Sequence, residues 1–468
     1  MKGCLIYRLP IHTPMERERL GSRLGFILLS AGCAIGLGNV WKFPYMVGEN
    51  GGGLFVLIYI LFLLMFGLPI LCMEFSMGRA SRRSPLKMYD DLEPKGSKWH
   101  LHGYVALAGS IVLMMFYTVV SGWMLKYALA TAKGDFNGMD IDGVSNYFDA
   151  MVSDPLPLLV FTAIVVIVGF VVCSFRIDKG LERVTKFMMI SLLVLMTILV
   201  VNSLTLDGAM SGLEFYLMPD LDKLLDKGVG NVVLAAMSQA FFTLSIGMGS
   251  MAVFGSYISK ERKLFGEAIN VGILDTTIAI AAGIIIFPAC FTFGIDVGAG
   301  PSLLFVTLPN VFNNMAMGGL WGTMFFIFMS FAALSTVFAV FEAIISSIME
   351  LTGWNRRKTC MVGCALMLVL TIPCILGFSI LSGFQPFGPG TNIMDLEDFI
   401  VSYVILPAGA LIFTIFCTSR YGWGWKKFTE EANAGKGIGI PGWMRLYATY
   451  ILPIAVGILF VYGIINAF

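Results

Sequence analysis

Ala31-Gly32-Cys33-Ala34-Ile35-Gly36-Leu37-Gly38-Asn39, followed closely by Trp41-Lys42-Phe43-Pro44, interrupts an apolar stretch otherwise long enough to cross a membrane. Backbone N–H and C=O groups left unpaired in hydrocarbon each cost several kcal/mol, so an unwound segment at that depth persists only where it lines a cavity or binds something. The break points to a binding site near the bilayer midplane.

The rest of the chain supports a membrane setting. Of 468 residues, 57% are hydrophobic and only 13% charged, and the mean hydropathy is +0.83, well outside the range of soluble domains. The expected class is an all-α integral membrane protein whose principal partner is the lipid bilayer. A formal net charge of +1 excludes a dominant basic surface, so no nucleic-acid partner is expected. Nine cysteines, scattered through apolar segments, argue against a disulfide framework. Cys360 and Cys364, like His100 and His102, have no companions that complete a metal set and read as packing. Residues 1–20 carry Arg8, Glu16, Arg17, Glu18 and Arg19 with no apolar core, so no signal peptide is expected. Met1 and Met15 are equally acceptable starts.

Crossing about 30 Å of hydrocarbon takes about 20 apolar residues per helix. Such windows fall near 22–47, 53–78, 101–130, 157–175 and 182–204, then near 231–257, 264–294, 320–351, 358–380, 395–419 and 444–467. This gives about eleven transmembrane helices in one polytopic domain, 22–468, behind an N-terminal segment, 1–21. The stretch 301–317 is short and carries Pro301, Pro309, Asn313 and Asn314, which reads as a hairpin or lid outside the membrane. Basic residues concentrate in alternate loops, including Arg79, Arg82 and Arg83, Arg176 and Lys179, Lys260 and Arg262, and Arg356 and Arg357. The N-terminus is therefore expected on the cytoplasmic side and the C-terminus outside.

The first break has a counterpart in Gln239-Ala240-Phe241-Phe242-Thr243-Leu244-Ser245-Ile246-Gly247-Met248-Gly249, five spans later. Two interrupted helices an odd number of spans apart are the pattern of an inverted repeat, here about 22–204 and 231–419, with 444–467 as an extra helix. Alternating access is the function that such symmetry supports. Unwound carbonyls suit a dehydrated alkali cation, and the half-helix N-termini suit a carboxylate. Asn39 and Thr243 add neutral oxygens at the two breaks.

The runs Arg23-Leu24-Gly25-Phe26, Gly36 to Pro44, Glu49-Asn50-Gly51-Gly52-Gly53 and Phe241-Phe242-Thr243-Leu244-Ser245 together resemble the neurotransmitter:sodium symporter family. The eleven-span count is similar to that of its bacterial amino acid transporters. The resemblance implies a leucine-transporter-type fold with a five-plus-five inverted repeat and discontinuous first and sixth helices, in a bacterial cytoplasmic membrane. It implies two sodium ions as cosubstrates. One would be held by Ala34, Asn39, Thr243 and Asp275 with the substrate carboxylate, the other by Gly32, Ile35, Ala332, Ser335 and Thr336. A small-molecule amino acid substrate would lie against Ala34, Gly38, Leu113, Tyr117, Phe242, Thr243, Ser245, Met248 and Val340, and the apolar lining implies an apolar side chain. Met248 stands where the bacterial leucine transporter has Phe, which implies larger or more varied side chains.

The same resemblance implies an outer gate of Lys42 with Asp398 and an inner one of Arg17 with Glu350. Lysine replaces the usual arginine and cannot form its bidentate fork, so a looser outer gate is expected. Leu20 stands where the family has Trp, and Ile190 where its fifth span has proline. Asp275 replaces the usual Asn, and Ala279 the usual Ser beside a chloride position otherwise matched by Tyr59, Gln239 and Thr243. A fixed carboxylate there would supply chloride's charge, so transport is expected to be chloride-independent. Glu74 matches a family acid, and Glu342 reads equally as a bonded structural group. No nucleophile and base pair accompanies the pocket, so no enzyme is expected. The alternative reading is an amino acid sensor or substrate-gated channel that retains the same site.

Overall fold

Proline placement decides the local shape of four of the membrane helices. Proline lacks an N–H and its ring crowds the carbonyl four residues back, so the turn before it cannot keep α-helical bonding. Pro44, Pro69, Pro407 and Pro453 each stand two residues beyond a wide, π-type turn, at Gly38–Lys42, Leu63–Gly67, Ile400–Ile405 and Tyr447–Ile451. Each turn is closed by bonds from residue i+5 to residue i.

A computed structural model of the chain describes residue 20 and residues 22–177, 180–294, 297 and 303–465. Among these residues the secondary structure is helical. Nine helices are long and apolar enough to cross a membrane: Gly53–Ser81, Leu101–Lys133, Pro155–Ser174, Leu181–Leu204, Leu264–Thr292, Gly318–Thr352, Arg356–Leu376, Ile393–Thr418 and Met444–Ile465. A tenth is the bent pair Arg23–Ala34 and Gly38–Glu49, which turn by 51° between them. The remaining expected span is divided into Val229–Thr243 and Ser250–Tyr257, each too short to cross alone. Counting that pair as the sixth span and the bent pair as the first, the order agrees with the eleven windows read from the sequence.

The eighth span, Gly318–Thr352, is the most enclosed of the nine unbroken helices and packs along the third, Leu101–Lys133, and the fifth, Leu181–Leu204. The first span lies against the seventh and eighth. The outermost is the eleventh, where Ile451, Ile454, Ile458, Val461 and Ile465 are exposed. The fifth presents Phe187, Ile190, Val194, Ile198 and Val201 outward. Such stripes, repeating every three to four residues, suit contact with lipid. The fifth helix is unbroken at Ile190.

The second half of the sixth span, Ser250–Tyr257, is locked to the second span. A Cβ on Gly78 would run into the Ala252 carbonyl, and one on Gly255 into the Phe75 carbonyl, so the two backbones touch with no side chain between them. The short helix Thr307–Asn313 lies in the stretch expected to be a hairpin or lid. Just before it, Phe305 is buried and packs against Trp41, Trp123, Tyr127 and Phe148, with ring centroids 5.1 to 6.4 Å away.

Candidate functional site

The two breaks face each other. At the first, the helix Arg23–Ala34 stops at Ile35, whose ψ of 93° is extended. At the second, Ser245, Gly247 and Gly249 all have positive φ, of 51°, 101° and 72°. Glycine occupies that region without strain and serine does so at a cost, so Ser245 is the strained member. Its hydroxyl reaches across and donates to the Cys33 carbonyl at 3.1 Å. The Gly247 N–H donates to Glu74 at 2.6 Å, which uses one backbone group that the break leaves free.

Asp275, on the seventh span, closes one side. Its carboxylate accepts from Asn39 Nδ2 at 2.8 Å, from Thr243 Oγ1 at 3.2 and 3.3 Å, and from Tyr59 Oη at 3.5 Å. Asn39 Nδ2 also meets the Asp275 carbonyl at 3.1 Å, and Asn39 Oδ1 accepts the Gly36 N–H at 3.2 Å. Gln239 donates to the Gly38 carbonyl at 2.6 Å. All four side chains, Asn39, Gln239, Thr243 and Asp275, are completely buried.

A second oxygen cluster lies on the other face of the first break. Ser335 Oγ is 3.3 Å from the Ile35 carbonyl and 2.9 Å from that of Ala332. Thr336 Oγ1 is 3.3 Å from the Gly32 carbonyl, 3.2 Å from that of Cys33 and 3.5 Å from that of Ile35. A cluster made only of oxygen, as this second one is, suits a hard, dehydrated cation, and backbone carbonyls where the first-span helix ends supply much of it.

Between the clusters is a small cavity, with about 10 Å³ open to the centre of a water-sized sphere. Ala34, Gly36 and Gly38 form its first-span wall, Leu113 and Tyr117 its third-span wall, and Phe242, Ser245 and Met248 its sixth-span wall. Tyr117 accepts the Leu37 N–H at 2.8 Å. A Cβ on Gly36 would strike the hydroxyls of Tyr117 and Thr336, so this close approach requires glycine.

Two expectations for the lining change. Val340 is fully buried but does not line the cavity. It lies one helical turn beyond Thr336, which takes the place on the eighth span. Thr243 turns to Asp275 instead of the cavity. Val401 and Leu406 of the tenth span also line it, and sequence reading missed both. The available signal was Pro407, which widens the turn that carries them.

Lys42 and Asp398 meet at one end of the cavity. The ammonium lies 2.7 Å from both carboxylate oxygens, 3.0 Å from Ser402 Oγ and 4.4 Å from the centre of the Phe242 ring. The three N–H groups of the compact ammonium reach these acceptors without the bidentate fork of an arginine. Away from the cavity, near the C-terminal end of the eighth span, Glu350 accepts from the Ser84 N–H at 3.0 Å and hydroxyl at 2.6 Å. Arg17 lies outside the described residues. Glu342 is a bonded structural group: Arg356 grips both its oxygens, at 2.7 and 2.9 Å, and Tyr257 donates to it at 2.8 Å.

A model of the sodium:neurotransmitter symporter family matches residues 17–138 and 152–468. The chain belongs to this family. Among relatives in the sodium:neurotransmitter symporter family, it is 35% identical over 441 residues to the uncharacterized sodium-dependent transporter YhdH of Bacillus subtilis, covering 94% of this chain and 96% of that one. It is 34% identical over 456 residues to the uncharacterized sodium-dependent transporter MJ1319 of Methanocaldococcus jannaschii, covering 94% and 89%. The crystal structure of MhsT in complex with L-phenylalanine matches with a TM-score of 0.87 at 37% identity, over 96% of this chain and all of that one. Membership of the symporter family makes this chain a multi-pass membrane transporter that uses sodium, and not an enzyme.

Proposed function

We propose that this symporter couples inward sodium flux to uptake of a neutral, apolar amino acid by alternating access, without a chloride requirement. The observation that carries the reading is the meeting of Asn39, Thr243 and Asp275 beside a cavity walled by both broken helices. The amino acid's carboxylate would lie at the first break, near Tyr117, and complete the shell of a sodium ion shared with the Ala34 carbonyl, Asn39, Thr243 and Asp275. Each ligand then raises the other's affinity, which is the thermodynamic content of coupling. The second ion would use the carbonyls of Gly32, Ile35 and Ala332 with Ser335 and Thr336.

The charge argument favours independence from chloride. The Tyr59 hydroxyl meets the Asp275 side chain, so an ionised carboxylate there would stand where an anion would otherwise balance sodium. Leu113, Phe242 and Met248 give the side-chain region an apolar character. Lys42 with Asp398 would form the outer gate, and Glu350 would belong to the inner one. The basic loops would lie in the cytoplasm of a bacterial cell, with residues 22–468 as a single domain of two inverted repeats and an extra helix.

The deciding experiment is uptake of a panel of labelled amino acids into proteoliposomes under an inward sodium gradient, with chloride replaced in parallel. Sodium-driven accumulation of apolar amino acids, unchanged without chloride, is the expected result. No accumulation of any neutral amino acid would overturn the reading. A steep chloride dependence would overturn the role given to Asp275.

A further inference from the structure

Val401 and Leu406 are five residues apart on the tenth span, and both line the cavity. In an α-helix, at about 100° per residue, they would point about 140° apart and only one could face it. The wide turn removes that conflict. The Leu406 N–H donates to the Val401 carbonyl, so the i+5 to i bond that defines the turn joins these two residues themselves. Both are buried, Val401 completely.

The wall they form is held rigidly. Gly247, in the sixth-span break, has its α-carbon against the Leu406 carbonyl, and a Cβ on Gly409 would strike the Gly247 carbonyl. No side chain separates the two backbones, so the tenth span cannot retreat from the break without losing this contact. The facing wall differs. The Met248 thioether lies where a Cβ on Gly109 would be 3.5 Å from its sulfur, and an unbranched side chain backed by glycine can repack.

We propose that the wide turn at Ile400–Ile405 is a specificity-determining element of the substrate pocket, with Val401 and Leu406 bearing on the apolar side chain of the amino acid and setting its upper size. Met248 adapts to shape, and the tenth span fixes the limit. This inference rests on the amino acid transport proposed above. It concerns which side chains are accepted, and the oxygen clusters that would hold sodium contain no residue of the tenth span.

The test compares sodium-driven uptake of leucine and tryptophan in proteoliposomes. The native chain is measured first; if it accumulates neither these nor any other neutral amino acid, the transport reading itself has failed. Given transport, Leu406→Ala is expected to raise the tryptophan-to-leucine ratio of kcat/KM by about tenfold or more, the discrimination that apolar volume changes supply in a binding pocket. Val401→Leu, which adds volume, is expected to lower it by a similar factor. Val404→Ala, in the same turn but outside the cavity lining, is expected to leave the ratio unchanged. The sodium concentration for half-maximal uptake is expected to hold in all three. An unchanged ratio in Leu406→Ala and Val401→Leu would overturn the inference, as would a loss of sodium dependence parallel to any change in ratio. If Leu406→Ala does not fold, Leu406→Val, which also removes volume, and Val401→Leu provide the same comparison.

Discussion

Asn39 donates its side-chain amide twice to Asp275, at 2.8 Å to the carboxylate and at 3.1 Å to the backbone carbonyl. The two bonds fasten the first break to the seventh span at a point from which water is excluded. Asn39→Ala leaves a buried carboxylate with fewer donors, at a cost of about 1–3 kcal/mol. The expected outcome is a sodium requirement raised by about tenfold or more, read from uptake against sodium concentration. An unchanged midpoint would remove Asn39 from the ion site.

The carboxylate of Asp275 is also the lever on anion dependence. Asp275→Asn combined with Ala279→Ser removes the fixed charge and adds a hydroxyl one turn away. Uptake by this double variant is expected to become chloride-stimulated, and uptake by the native chain is expected not to be. Equal rates in chloride and gluconate for both proteins would sink the charge-replacement argument.

Tyr117→Phe deletes the acceptor of the Leu37 N–H and leaves a buried donor unpaired at the first break. Apparent substrate affinity is expected to fall about tenfold, for a loss of about 1–2 kcal/mol, with sodium-independent folding intact by size-exclusion profile. Native-like KM would show that the hydroxyl does not meet the substrate.

The Lys42 side chain is 6% exposed and that of Asp398 29%, so the pair is neither a surface contact nor a fully buried one. Asp398→Asn is expected to cost about 1–2 kcal/mol, between the surface and buried cases. The consequence is an outer gate that opens more readily, measured by modification of a cysteine placed at Phe242. Lys42→Arg, which keeps the charge, is expected to retain more uptake than Lys42→Ala. The reverse order would show that the pair does not gate.

Arg356 and Glu342 form a buried pair in which the glutamate is fully enclosed. Arg356→Ala is expected to destabilise by about 3–5 kcal/mol, because an uncompensated charge stays buried. Thermal unfolding in detergent reads the loss. The double change Arg356→Met with Glu342→Gln is expected to recover much of it, and failure to recover would assign the loss to the bond from Arg356 to the Cys173 carbonyl, at 2.8 Å, and to that from Tyr257 to Glu342.

Much of this was readable before any coordinates. The first break was legible because lipid makes unpaired backbone costly, and the second because its glycines and Ser245 repeat the anomaly five spans later. The partnership of Lys42 with Asp398 was legible only through family resemblance, since 356 positions separate the two in the chain. Val401 and Leu406 were hidden for a different reason. Helical periodicity places residues five apart on different faces, and only the wide turn before Pro407 reunites them. Val340 illustrates the converse, because a position one turn from the cavity carries the same composition signal as one inside it. Glu342 could not be assigned from an acid alone, as its meaning depends on Arg356, the first residue of the next membrane helix.

The backbone contact of the second span with Ser250–Tyr257 of the sixth has a mechanical consequence. With Gly78 against Ala252 and Gly255 against Phe75, the two helices form a single beam, since sliding or parting them would open a void that no side chain fills. Any swing of the half-helix Ser250–Tyr257 would have to carry the second span with it, and the bending load would then fall on Ser245 to Gly249. Three left-handed residues make that joint, and Ser245 is the one that holds strain there.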